Sequence, residues 1–195
     1  MDTTKMSKSL GNIITPRELL EQGWQGETLR WALLSTHYRA PLDWTEELMK
    51  QAQASLDRLY GALLRLKDVV AADVEAPAAF VAALEDDLNT AAAIAELSAL
   101  ATAANIAKKP DDMAKAKGEL LAAAKLFGVL QNDPELWFRA SFGDEAVEID
   151  KLVAERVAAR AAKNYAESDR LRDQLSQRGV EVMDSATGST WRRKG

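Results

Sequence analysis

The chain has 195 residues, 25 of them basic and 30 acidic, and 47% are hydrophobic, enough for one or two domains with real cores. The absence of cysteine excludes disulfides and Cys-ligated metals, and the single histidine, His37, is too little for a dedicated zinc site, so no metal is expected in this chain. No apolar run approaches the ~20 residues of a membrane span and no charged-then-apolar leader opens the chain, so no membrane is expected, and the lack of cysteine fits a cytoplasmic protein, which is expected to be monomeric.

The net charge of -5 argues weakly against nucleic-acid binding, but its distribution changes that reading. Residues 1–70 carry nine basic and nine acidic side chains, and residues 144–195 carry ten of each. Residues 71–143 carry six and eleven, so the acidity lies entirely in the middle. A polyanionic partner is tolerated at the two ends and avoided between them.

In chain order, the first feature is a loop, Lys5-Met6-Ser7-Lys8-Ser9, followed by Leu10-Gly11-Asn12. Two lysines three apart suit phosphate oxygens, and Ser7, Ser9 and the amides near Gly11 add donors. A Lys/Ser-rich segment near a terminus is by default simply solvated. Thr15-Pro16-Arg17-Glu18 then has the composition of a helix start, with Thr15 as N-cap and Glu18 completing a capping box. This helix is expected to stop near Gly23. A second is expected from Gly26 to Tyr38, with Leu29, Leu33 and Leu34 on its apolar face and Trp31 beside it. Pro41 breaks the pattern. Thr45 restarts a long helix, expected to run to about Ala72, with Leu56, Leu59, Tyr60, Leu63, Leu66 and Val70 as its stripe.

Residues 78–107 are expected to form helices interrupted by Glu85-Asp86-Asp87-Leu88-Asn89-Thr90, where Asn89 or Thr90 caps the second. A helix from Asp111 or Asp112 ends at Gly128. Asn132-Asp133-Pro134 is expected to open a short turn, with Leu136, Trp137 and Phe138 packed. Helices over 144–164 and 165–178 follow. Val180 to Asp184 and Ser189 to Arg193 alternate like two strands joined by a turn. The expected fold is mainly α: an antiparallel helical bundle followed by a small helix-plus-β-hairpin unit.

Several stretches together carry a resemblance. They are KMSKSLGN at 5–12, Leu34-Ser35-Thr36-His37-Tyr38-Arg39 before Pro41-Leu42, and Asp86-Asp87-Leu88-Asn89-Thr90. After these come the region from Ala158 to Lys163, Ala166 to Asp173, and Gly188 to Lys194. In this order and spacing the chain resembles the cysteinyl-tRNA synthetases, class I aminoacyl-tRNA synthetases, over essentially its whole length. It resembles their C-terminal portion, starting at the KMSKS loop. The HIGH-type motif and the zinc site of the family's catalytic domain have no counterpart here, so a fragment, a truncated form or a split gene product is expected, inactive by itself.

The resemblance implies roles. Lys5 and Lys8 would hold ATP phosphates, with Ser7 and Ser9 beside them, in an enzyme that activates cysteine with ATP and transfers it to tRNA(Cys). Residues 1–14 would be the remnant of the KMSKS loop, 15–143 a tRNA-stem-binding bundle of the class I anticodon-binding type, and 144–195 an anticodon-recognition unit. Arg160, Asp169 and Asp184 match the family's contacts to anticodon bases. Trp191 is a stacking platform or a core residue, and Arg192 and Arg193 are candidates for phosphate contact. Without the resemblance, Arg160 and Asp169 read as surface ion-pair partners, and His37 reads as structural. A non-catalytic helical module supporting a separate catalytic chain is the alternative of a different class. Ligation of cysteine to a small amine-bearing sugar is disfavoured, because such relatives lack the terminal unit.

Overall fold

The computed structural model describes residues 14–140, 142–185 and 188–194. The loop holding Lys5, Ser7, Lys8 and Ser9 lies outside the described residues. The chain divides into two compact units, one ending at Gln131 and the other beginning at Asn132.

The first unit holds α1 (Pro16–Glu21), α2 (Gly26–Leu34), α3 (Glu46–Arg65), α4 (Ala78–Glu85), α5 (Thr90–Ile106) and α6 (Pro110–Phe127). The capping box at α1 is present: Glu18 N–H donates to Thr15 Oγ1 at 3.3 Å, and Thr15 N–H donates to Glu18 Oε2 at 2.8 Å. Leu56, Leu59, Tyr60 and Leu63 of α3 are all 3% exposed or less. Each such burial is worth about 1.5–3 kcal/mol, which makes α3 the axis on which α2 and α5 pack. Phe127 closes one end of this core, edge-on to Phe80 at 5.4 Å and to Trp31 at 6.4 Å between centroids.

Three expectations are corrected here. Helix α3 stops at Arg65 rather than Ala72, and Val70 is 86% exposed. The reason is tertiary: Lys117 Nζ, from α6, donates to Leu66 O at 2.9 Å and Val69 O at 2.8 Å, and Ala72 N–H donates to Ala114 O at 2.9 Å. Those bonds draw the chain out of the helix and along α6. In α2, the buried face is Thr28, Leu29, Trp31 and Ala32, and Leu33 points outward. The helix also ends at Leu34, because the residues after Ser35 turn to hold Asp87. Asn132-Asp133-Pro134 opens a helix rather than a short turn. Asp133 Oδ1 accepts from the Glu135 and Leu136 amides at 2.8 and 3.1 Å, and a helix starts at Pro134. On it Trp137 and Phe138 are buried, as expected, while Leu136 is exposed.

The second unit holds α7 (Pro134–Ala140), α8 (Glu145–Ala161), α9 (Tyr165–Gln177), β1 (Val180–Ser185) and β2 (Gly188–Arg193). The strands pair antiparallel in the register Val182↔Trp191 and Asp184↔Ser189. Helices α8 and α9 pack together, α9 packs on β1, and β2 packs on α7 and α8. The fold is therefore mainly helical with one small hairpin, as the sequence indicates. Among the described residues no helix is long and apolar enough to cross a membrane.

Candidate nucleic-acid interface

The polar centre of the second unit begins with the stripe of α8. Ile149, Leu152, Val153 and Arg156 are buried at helical spacing, so an arginine occupies a core position. A buried guanidinium needs a partner. Asp184 at the end of β1 supplies it: Arg156 Nη1 and Nη2 donate to Asp184 Oδ1 and Oδ2 at 2.9 and 3.0 Å, a bidentate pair. One turn further along α8, Arg160 Nη1 also donates to Oδ2. Ser189, opposite Asp184 in the hairpin register, donates its hydroxyl to Oδ1 at 2.7 Å.

The hydrogen bonds from Arg156 hold the Asp184 carboxyl well below the ordinary carboxylate range. Partial burial opposes this, and the Ser189 hydroxyl and the two arginine charges add to it. Arg156 is raised in turn, chiefly by its bonds to Asp184 and more weakly by the charge of Asp169. Asp169 lies on α9, which starts at the Asn164 N-cap, and is paired with Arg172 at 3.3 Å on the open surface. The structure thus brings Arg160 and Asp184 together over Arg156, while Asp169 is paired with Arg172 and reaches this group only through its charge on Arg156.

The other candidate residues have partners of their own. Trp191 is 6% exposed; its indole N–H donates to Asp150 Oδ1 at 2.8 Å, and its ring stands edge-on to Phe142 at 5.4 Å. The same Asp150 oxygen accepts from Arg139 Nη2 at 2.7 Å. This group borders a cleft of about 410 Å³ that is also lined by Ser189, the hydroxyl donor to Asp184. Arg192 Nε donates to Glu181, its cross-strand partner, at 2.7 Å. The Arg193 guanidinium lies 5.4 Å from the Phe142 ring centroid. Sequence reasoning missed Arg156, Ser189, Asp150 and Arg139. For Arg156 a signal existed, a cation at an apolar-stripe position. For the others the pairing depends on the hairpin register and on α7.

In the first unit, His37, Tyr38 and Arg39 converge on the turn between α4 and α5. His37 Nε2 lies 3.1 Å from the Asp87 carbonyl oxygen, and Nδ1 accepts from the Arg39 amide at 3.3 Å. Tyr38 Oη and Arg39 Nη2 donate to Asp87 Oδ1 at 2.7 and 3.2 Å. The bond to Asp87 raises the Tyr38 phenol above its ordinary value. Asn89 Oδ1 accepts from the Ala92 amide and caps α5, so this stretch is a helix-cap turn. Among the described residues no group of three or more His, Cys, Asp or Glu side chains is placed to hold a metal.

Three family models match the chain in succession. Residues 1–54 match the class I (C) tRNA synthetase catalytic domain, 79–131 the DALR domain, and 143–192 the cysteinyl-tRNA ligase anticodon binding domain. Among curated proteins, the cysteine–tRNA ligase of Hyphomonas neptunium is 50% identical over 196 residues, covering 99% of this chain and 42% of that protein. That of Caulobacter vibrioides (strain NA1000 / CB15N) is 50% identical over 199 residues, covering 100% and 43%. That of Rhodospirillum rubrum is 48% identical over 193 residues, covering 97% and 42%. The chain therefore spans less than half the length of the curated relatives it matches. With three domain models in succession and about half of all residues identical from end to end, the chain belongs to the cysteine–tRNA ligase family and corresponds to the C-terminal, anticodon-binding part of its members.

Proposed function

We propose that this chain is the tRNA-binding region of a cysteine–tRNA ligase, and that residues 144–195, within its second unit, read the anticodon of tRNA(Cys). The observation that carries the reading is the Arg160–Asp184 pair, built by α8 and the hairpin within the span that matches an anticodon binding domain, with Asp169 on the neighbouring helix α9. RNA loops are read on splayed bases by side-chain hydrogen bonds, and the exposed Arg160 and Asp169 side chains hold their present partners through surface ion pairs that a base can replace. By role, 144–195 is the anticodon-recognition unit and 15–143 contacts the tRNA stem, while 1–14 belongs to the ATP site. In the whole ligase Lys5 and Lys8, with Ser7 and Ser9, hold ATP phosphates while cysteine and ATP give cysteinyl-adenylate and pyrophosphate. The cysteinyl group then passes to the 3′ end of the tRNA. The protein acts as a cytoplasmic monomer, and the 195 residues alone are expected not to aminoacylate tRNA.

The test is binding of the chain to tRNA with a GCA anticodon against the same tRNA with one anticodon base changed. A loss of affinity on the change, further reduced by Arg160→Ala or Asp169→Ala, supports the reading. Equal affinity for both overturns it. A second reading, a helical module that supports a separate catalytic chain, has one observation in its favour. An apolar cleft of about 680 Å³ lies between α1, α2 and Trp44, lined by Leu19, Leu20, Leu29, Leu33 and Leu42. Tight binding of a catalytic chain without affinity for tRNA would decide for that reading.

A further inference from the structure

A carboxylate offers about four lone-pair sites. On Asp184 all four are taken: Oδ1 by Arg156 Nη1 and Ser189 Oγ, Oδ2 by Arg156 Nη2 and Arg160 Nη1. A base amino group therefore cannot bond Asp184 unless one donor leaves. The donors are not equivalent. The Arg156 side chain is 8% exposed, and its Nε is buried without a partner, so releasing Asp184 would strand a desolvated cation. The Arg160 side chain is 57% exposed, and water replaces its bond at little cost.

We infer that Arg156 is a positioning residue that fixes Asp184 from below, and that Arg160 is the exchangeable donor covering the Asp184 oxygen until RNA arrives. On docking, the Arg160 guanidinium turns to an RNA acceptor, and the uncovered Oδ2 site accepts from a base amino group. Arg156 stays in place and touches no RNA. The specificity of the surface is thus set by a residue beneath it. The inference rests on the anticodon reading given above.

The experiment uses the full chain with a stem-loop RNA carrying GCA in its loop, and stem-loops with each of those bases changed. Arg156→Lys keeps the charge and loses the two-point grip. It is expected to reduce discrimination between the loops by about tenfold, the size of one base contact. The salt dependence of binding should stay unchanged, because no phosphate contact is lost. A merely structural role would lower thermal stability without moving discrimination at a temperature where the variant is folded.

A second measurement needs no variant. In the unaltered chain, the side-chain Nε–H resonance of Arg160 is expected to shift when the GCA loop is added, while that of Arg156 stays. Full discrimination by folded Arg156→Lys, or an Arg156 resonance that shifts as far as that of Arg160, overturns the inference and leaves the anticodon reading standing. Equal binding of all loops by the unaltered chain overturns both.

Discussion

Asp184 concentrates most of the chemistry of the second unit in one side chain. Replacing it with Ala leaves the Arg156 guanidinium buried beside a hole, and breaking such a pair from one side costs about 3 kcal/mol. A fall of the melting temperature for Asp184→Ala, with a much smaller fall for Arg160→Ala, is the expected outcome in calorimetry. The sign of the acid dependence follows from the same bonds. The folded-state pKa of Asp184 is depressed, so the unfolded chain takes up its proton first as pH falls. The contribution of Asp184 is complete above the unfolded value of about 3.9 and is lost progressively below it. Acid unfolding of the unaltered chain should therefore be steeper below about pH 4 than that of Asp184→Asn, whose amide does not titrate in that range.

Among the helices of the first unit, cations from one element close the carbonyl end of another. Arg30 of α2 donates to Gly128 O at 2.8 Å, Arg65 of α3 to Ala104 O and Ala107 O at 2.7 Å, and Lys117 of α6 to the carbonyls after α3. Each satisfies orphan helix-end carbonyls and meets the negative end of the helix dipole. Burial at this junction pushes the Lys117 ammonium below its ordinary value, against the charge of Asp68. Gly118 lies beside it. A Cβ there would fall inside van der Waals contact of the Ala72 carbonyl oxygen and stand 2.9 Å from Val74 Cγ2. Gly118→Ala gains about 1 kcal/mol of helix propensity, but overpacking against backbone costs about 1–3 kcal/mol. Urea unfolding should show a net loss of stability. Gly26→Ala meets nothing within 4 Å and should be neutral or slightly stabilising. The reverse ranking would mean that the 66–77 segment is not packed on α6.

For the molecule as a whole, the balance of charge decides how RNA would be held under the proposed function. Residues 144–195 carry ten basic and ten acidic side chains, and several of those arginines are already paired with acids of the same unit. The unit carries no net positive charge, so non-specific RNA affinity should be low and its salt slope shallow. Titration of the chain with a GCA stem-loop at two salt concentrations checks this. A steep slope, matching many phosphate contacts, would instead assign binding to a basic surface rather than to base reading at the Arg160 cluster.

Much of the fold was legible in the sequence because local chemistry fixes it. Thr15 with Glu18 announces α1, Asn89 caps α5 and Gly128 ends α6. The alternation over 180–193 marks a hairpin, and the six motifs in order carry the family. These signals use near neighbours, so they survive without tertiary information. Contacts between residues distant in sequence are not encoded that way. The apolar stripe of α3 runs on to Val70, yet the helix stops at Arg65 because Lys117, some fifty residues later, takes its carbonyls. Trp191 reads equally as core or platform until α7 and Asp150 enclose it. The roles around Asp184 depend on register: only the pairing of β1 with β2, laid against α8, brings Ser189, Arg156 and Arg160 to one carboxylate. The sequence by itself determined most of the helix starts, the hairpin and the family. The tertiary structure decided which charges are buried, because burial is set by what packs above a residue and not by the residues beside it.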